Sequence, residues 1–222
     1  GDCQLEVYPM EPGPGIFISE YLQKKGPGIN HIAFNTPDIE RDTRRFLEKG
    51  CDLVFNATVN GKTIENYLDT RKHGDVMISL RPPADEWEIA WRENNKSHPL
   101  VKDWKFSGVG VVVNDCEIAC DYYSNLGFSI EKEVHESKNL GVKLCHIKVG
   151  SIMFELIQPT TDNSVYKDCF NNRGEGVVDL SFIVDDLTSE TEDLVSKGAD
   201  FLFSTDECAI IDTKREGNTI IK

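Results

Sequence analysis

Short apolar stretches alternate with amphipathic ones along the chain, and turn residues separate them. Residues 29–34 read Ile-Asn-His-Ile-Ala-Phe, the partly apolar pattern of a strand with one buried face. Pro37 then suits the first turn of a helix that runs to about Lys49, and Gly50 suits the left-handed residue that ends it. Another strand begins at Leu53. The segment therefore predicts the order strand, helix, strand.

The same pattern returns further along the chain. Residues 26–55 align without a gap on residues 174–203 and match at nine of 30 positions, among them turn glycines, a helix-start aspartate and core phenylalanines. Chance similarity rarely keeps these three kinds of position in register. A third copy lies at 105–159, where the pattern predicts βαβββ, and residues 4–9 resemble the last strand of that copy. The sequence thus predicts tandem βαβββ units.

These repeats suggest a division of the chain into two modules. Residues 1–82 are expected to hold the last strand of one unit and one full unit, and residues 105–222 to hold two further units. A polar linker at 83–104 separates them and contains three tryptophans: Trp87, Trp91 and Trp104. We expect these rings to pack the linker onto the sheets rather than to bind a ligand.

Composition and charge narrow the function classes. The 38 Asp and Glu residues outnumber the 24 Lys and Arg residues, which gives a net charge of −14. Because a surface this acidic repels phosphate groups, we expect no nucleic-acid partner and no membrane partner. No apolar run approaches the roughly 20 residues that span a bilayer. The first residues lack the features of a signal peptide, so the seven cysteines are expected to be reduced thiols in a cytoplasmic protein.

Paired βαβββ units that carry the motif Gly-x-Gly-x-x-His-Ile-Ala-Phe, here residues 26–34, resemble the vicinal oxygen chelate superfamily. That superfamily includes glyoxalases, epimerases, dioxygenases and bleomycin-resistance binding proteins. Residues 19–34 are similar to methylmalonyl-CoA epimerases in particular. The resemblance implies an α+β fold of the glyoxalase/bleomycin-resistance type, in which two units pair into a half-open barrel. It also implies a divalent metal cofactor (Mn, Fe, Co, Ni or Zn) that polarises the substrate.

In this superfamily each unit offers one metal ligand from its first strand and one from its fourth. Carried over to the N-terminal module, the resemblance implies that His31 and Glu6 are metal ligands. Imidazole and carboxylate groups suit such an ion. Ser79 stands where the resemblance would place a glutamate, and we expect it to line a substrate pocket.

The C-terminal module departs from the pattern of the superfamily. Its ligand positions fall on Gly108, Glu155, Asp179 and, across a gap, Lys222. No histidine is among them, and a lysine ammonium would compete with a metal. We therefore expect a metal-free barrel in which Glu155 and Asp179 contribute to a substrate pocket.

Two functions stay open on this basis. One is a metal-dependent isomerase, epimerase, lyase or dioxygenase that acts on a small carbonyl or thioester metabolite, with catalytic residues that the sequence does not assign. The other is a metal-free protein that binds a small molecule, as resistance proteins of this fold do. Because half a barrel exposes a sheet edge, we also expect a homo-oligomer, such as a dimer, or a missing upstream segment.

Overall fold

The N-terminal part of the structure is a four-stranded sheet with flanking helices. The structure is a computed structural model, and it describes residues 17–94, 104–214 and 218–222. The resemblance noted for residues 4–9 and the side chains of Trp87 and Trp91 lie outside the described residues. The elements of this part are α1 (Phe17–Lys25), β1 (His31–Asn35), α2 (Ile39–Glu48), β2 (Leu53–Val59), β3 (Lys62–Leu68), β4 (Met77–Arg81) and α3 (Glu86–Asn94).

The C-terminal part is an eight-stranded sheet with three helices. Its elements are β5 (Lys105–Val112), α4 (Cys116–Leu126), β6 (Ser129–Ser137), β7 (Val142–Val149), β8 (Ile152–Pro159), α5 (Lys167–Arg173), β9 (Gly176–Ile183), α6 (Leu187–Ser196), β10 (Phe201–Ser204), β11 (Ala209–Ile211) and β12 (Ile220–Ile221). None of the described helices combines the length and the apolar character that crossing a membrane requires.

Each unit has the same strand pairing. The four-stranded sheet has the order β1-β4-β3-β2, and the first and fourth strands are parallel neighbours. The eight-stranded sheet has the order β10-β11-β12-β9-β5-β8-β7-β6, which is two such units joined through the antiparallel pair β5 and β9. The predicted α+β class with tandem βαβββ units is confirmed.

One aspartate begins the helix of each unit. Its carboxylate accepts a hydrogen bond from the backbone N–H three residues later, which satisfies a donor that the helix itself cannot. The three pairs are Asp38 with Arg41, Asp115 with Ile118, and Asp186 with Ser189. The aspartate that recurs in the sequence repeat is therefore a helix cap.

Strand β8 separates two environments because successive side chains of a strand point to opposite faces of a sheet. Phe154 and Leu156 are fully buried on the outer face, under α4. Met153 and Glu155 line a cavity on the inner face, and Ile157 belongs to a second apolar cluster on that face. The inner face of the barrel is thus apolar at one end and polar at the other.

The two sheets share one apolar core. Leu68 and Ile78 of the four-stranded sheet belong to the same buried cluster as Val111, Tyr123 and Phe154 of the C-terminal part. Polar contacts cross the same boundary: the Tyr123 hydroxyl donates to the carbonyl of His73 at 3.2 Å. We therefore expect the two parts to unfold together.

Replacing Leu68 tests this shared core. Leu68 is completely buried, so Leu68→Ala is expected to lower the free energy of unfolding by about 2–5 kcal/mol through lost burial and a cavity. Urea denaturation followed by circular dichroism should show one transition at a lower midpoint. Leu53→Ala is the matched control, since Leu53 is 41% exposed and its loss should change little. Two separate transitions, only one of which shifts, would contradict a common core.

Candidate functional site

A cavity of about 350 Å³ opens on the inner face of the C-terminal barrel. Apolar side chains form most of its wall, among them Trp104, Met153 and Phe182, and α6 covers one side. His146, Glu155 and Lys222 are among the polar residues of the lining. The Trp104 and Phe182 rings lie 5.5 Å apart at an angle of 54°. Concave, mainly apolar sites with a few polar groups are typical of small-molecule binding.

The strand register places Lys222 at a fourth-strand position. In the third unit, Gly110 pairs with Glu155, and Gly110 comes two residues after the first-strand position Gly108. The backbone N–H of Lys222 donates to Leu180, and the carbonyl of Lys222 accepts from Phe182. Lys222 therefore lies opposite Ser181, which comes two residues after Asp179. The register assigns Lys222 and Glu155 to equivalent places in their units.

Lys222 and Glu155 form an ion pair inside the barrel, and their side chains are 17% and 15% exposed. The other carboxylate oxygen of Glu155 accepts from His146 Nε2 at 3.1 Å. Burial alone would raise the pKa of Glu155, but the hydrogen bonds from His146 and Lys222 and the charge of Lys222 lower it to about 2. Burial would lower the pKa of Lys222, yet the charges of Glu155 and Asp179 raise it. Both groups are therefore charged at neutral pH.

Asp179 lies behind this pair and is fully buried. Its carboxylate accepts hydrogen bonds from the Gly110 N–H at 2.8 Å, the Ser181 hydroxyl at 3.0 Å and the Tyr166 hydroxyl at 3.2 Å. Burial is the largest influence on Asp179, and it raises the pKa to about 6 although Lys222 acts in the opposite direction. Asp179 thus changes charge close to neutral pH, as groups at functional sites often do.

Two glycines allow the strands to approach closely at this point. A Cβ atom on Gly110 would lie 2.0 Å from an Asp179 carboxylate oxygen. A Cβ on Gly108 would lie 2.0 Å from the backbone carbonyl oxygen of Met153. A longer side chain at the Gly108 position would require β5 and β8 to move apart, so this position cannot supply a ligand in the present fold.

The C-terminal barrel does not fit a metal ion. Gly108 has no side chain, and a charged lysine has hydrogen-bond donors but no lone pair to give a metal. Both oxygens of Glu155 are engaged by His146 and Lys222, and those of Asp179 accept three hydrogen bonds. Across the described parts of the chain, no group of three His, Cys, Asp or Glu side chains is arranged to hold a metal.

The N-terminal sheet holds the other predicted site residues on its own inner face, apart from the cavity. His31 lies with its ring 5.1 Å from that of Tyr67, which also contacts Phe17 at 4.7 Å. Ser79 is buried, and its hydroxyl donates to Glu65 at 2.7 Å. Glu6 lies outside the described residues. Among the predicted residues, the structure therefore brings together Glu155 and Asp179, while His31 and Ser79 lie in a separate place.

A family match covers most of the residues that line the cavity, although Trp104 and Lys222 lie outside it. Residues 108–210 match the Glyoxalase/Bleomycin resistance protein/Dioxygenase superfamily. The match covers just under half of the chain, and over these residues the chain is similar to that superfamily. Members of the superfamily typically use divalent metals. No curated protein matches the chain.

One solved structure shows the same fold over a larger part of the chain. A variant of 4-hydroxymandelate synthase from Streptomyces coelicolor matches 87% of the chain with a TM-score of 0.62 and 17% identity. The match spans 60% of that enzyme, so the chain is equivalent to less than two thirds of its length. Methylmalonyl-CoA epimerase from Mycobacterium tuberculosis matches 53% of the chain and 84% of its own length, with 23% identity and a TM-score of 0.46. A hypothetical protein from Bacillus halodurans matches 54% of the chain and 92% of its own length, with 16% identity and a TM-score of 0.47.

Three residues of the site have no site role in the prediction from sequence. His146 comes two residues after Leu144 on β7 and therefore lies on the same face of the strand, and this period of two is the only sequence signal that would point it inward. Trp104 is expected to pack the linker, yet it lines the cavity while its Nε1–H donates to Glu190 at 3.0 Å. Tyr166 reaches Asp179 from the loop before α5, a contact that no local pattern predicts.

Removing the lysine tests the ion pair. Lys222→Met is expected to lower the free energy of unfolding by about 3 kcal/mol, because it leaves the buried Glu155 carboxylate without its countercharge. The double variant Glu155→Gln/Lys222→Met should recover part of this loss. Lys143→Met is the control: Lys143 pairs with Glu117 at an exposed site and should contribute less than about 1 kcal/mol. Equal losses for the two lysine variants in urea denaturation would contradict the structure.

The pKa of Asp179 predicts a pH-dependent stability. Because its pKa is about 6 in the fold against an ordinary 3.8, the folded protein binds the proton more tightly than the unfolded chain does. The contribution of Asp179 to the free energy of unfolding is therefore full below pH 3.8, and it is lost as the pH rises through 6. Asp179→Asn should leave stability nearly unchanged at pH 4 and raise it by roughly 3 kcal/mol at pH 7.5.

The exposed Asp121 provides the control for this measurement. Asp121→Asn should show no comparable difference between the two pH values. If Asp179→Asn instead destabilises the protein equally at both pH values, the hydrogen bonds of Asp179 contribute to stability and its ionisation does not.

Proposed function

We propose that the chain binds a small organic molecule in the C-terminal barrel without a metal. The observation that carries this proposal is the ion pair between Lys222 and Glu155. A lysine ammonium occupies a position that the superfamily resemblance would give to a metal ligand, and it neutralises the carboxylate that would otherwise attract a cation. Metal-free binding therefore accounts for the residues present better than metal-dependent catalysis does.

The cavity supports a ligand with an apolar body and a polar acceptor group. A volume of about 350 Å³ lies within the range of pockets that hold small molecules. The rings of Trp104 and Phe182 offer a flat apolar wall. An ammonium group has three N–H donors, and the described contacts of Lys222 Nζ are with Glu155. A ligand carboxylate, carbonyl or sulfonate could accept from the donors that are left.

The N-terminal half-barrel leaves room for a further partner. Among the described strands, β1 pairs with β4 on one side, whereas its counterpart β5 pairs with β8 and β9. We propose that another unit completes the sheet at the β1 edge, from elsewhere in the polypeptide or from a second copy in a homo-oligomer. Such a unit could add metal ligands beside His31. The experiment must therefore be able to detect a metal-dependent enzyme.

Binding of 1-anilinonaphthalene-8-sulfonate to chelator-treated protein tests the proposal. Its aromatic body and single sulfonate match the chemistry of the cavity. We expect saturable fluorescence that added Mn²⁺, Co²⁺ or Zn²⁺ does not change. Thr191→Trp fills the cavity from α6 and should weaken binding at least tenfold, whereas Glu192→Trp places the same ring on an exposed neighbour and should not.

Two results would overturn this function. Equal loss of binding in the two tryptophan variants would mean that the probe does not enter the cavity. Stoichiometric metal in protein purified without an affinity metal, with loss of that metal in His31→Ala, would support a metal-dependent enzyme in the N-terminal module. Elemental analysis distinguishes these cases because it does not depend on the probe.

A further inference from the structure

Two cysteines from distant parts of the chain face each other between α4 and β7. Cys145 Sγ lies 2.6 Å from Cys120 Sγ, in hydrogen-bond contact. Both are free thiols in the structure. Both residues are buried, with Cys120 3% exposed and Cys145 0% exposed. Two sulfurs this close, with no other atom between them, are placed for a bond rather than for ordinary packing.

The fold creates this contact through two periodicities. Along β7, Cys145 points outward because its neighbour His146 points into the barrel. Along α4, Cys116 and Cys120 lie one turn apart on the face that packs onto the sheet. Cys116 Sγ donates to the carbonyl of Leu156 at 3.5 Å, so it has a partner of its own. The geometry therefore selects Cys120, and not Cys116, as the partner of Cys145.

We propose that Cys120 and Cys145 form a redox-active dithiol, which a peroxide oxidises to a disulfide that joins α4 to β7. One thiolate attacks a peroxide oxygen, the O–O bond breaks, and a sulfenic acid and the first water form. The second thiol attacks the sulfenic sulfur, the S–S bond forms, and the oxygen leaves as the second water. The two thiols lose two electrons, and hydrogen peroxide accepts them.

The surroundings predict a slow reaction. Burial raises the pKa of both thiols, so few are thiolates at neutral pH, and thiolate is the reactive form. Helix α4 must also loosen before peroxide can reach the pair. The dithiol therefore responds to sustained exposure to oxidant rather than to a brief one.

The disulfide would stabilise the fold without rearranging it. The sulfurs have to approach only from 2.6 Å to a bond length of about 2.05 Å. The bond closes a loop over residues 121–144, which restricts the unfolded chain more than the folded one. It forms on the outer face of β7, so the cavity on the inner face should keep its ligand affinity. This inference is independent of the proposed function.

Peptide mapping of the wild-type protein is the decisive experiment. The protein is treated with hydrogen peroxide, alkylated and digested without reductant. We expect a crosslinked peptide pair containing Cys120 and Cys145, two hydrogens lighter than the separate peptides, that dithiothreitol separates. The melting temperature should rise by about 5–10 °C on oxidation and return on reduction.

Variants provide the controls. Cys120→Ala should abolish both the crosslink and the rise in melting temperature, whereas Cys169→Ala, which lies in the other apolar cluster, should retain both. A crosslink between other cysteines, or oxidation of Cys120 and Cys145 to sulfinic acids without a bond, would overturn the proposal. Since the mapping uses the wild-type protein, its outcome does not depend on whether a variant folds.

Discussion

The ammonium of Lys222 and the carboxylate of Glu155 share the interior of the C-terminal barrel, where burying either charge alone would cost several kcal/mol. Glu155 lies on β8 and Lys222 directly follows β12, and these are the fourth strands of two different units. Each charge therefore offsets the cost of burying the other only when the two units have closed into one barrel. The pair also determines the charge of the cavity wall, because Lys222 neutralises the carboxylate that a cation would need.

The inner and outer faces of the C-terminal barrel have different surroundings. Its inner face carries the polar cluster at one end and an apolar cluster around Ile157 and Tyr166 at the other. Its outer face packs on α4 and on the N-terminal sheet, in one continuous core. Because a strand alternates its side chains, a one-residue slip of β8 would move Glu155 into that apolar core. The register is therefore constrained from both sides, and the cavity is held by the packing of the whole molecule.

A shared fold leaves the chemistry open, because function depends on the residues at the site. The matched superfamily includes glyoxalases, resistance proteins and dioxygenases, and the C-terminal region has its architecture with a lysine and a glycine at ligand positions. The polar groups that line the described cavity are of a kind that can orient an organic ligand. His31 lies on another sheet, beside Tyr67.

Much of the fold was predictable from local features of the sequence. The repeated glycines and the aspartate caps Asp38 and Asp186 mark turns and helix starts, and these depend on backbone conformation within a few residues. The superfamily resemblance, applied to this repeat, places Glu155 and Asp179 at ligand positions of their units. It could not reveal the contact between Cys120 and Cys145, since no spacing in the sequence relates a helix position to a strand position.

The sequence by itself determined the repeating unit, its helix starts and the period-two alternation that separates Glu155 from Phe154. Only the tertiary structure decided that Lys222 lies beside Glu155, that Asp179 is buried against Tyr166, and that Trp104 lines the cavity. The physical reason is the range of the interactions. Caps and alternation act between residues that are close in sequence, whereas the charges inside the barrel meet only after strands far apart in the chain have paired.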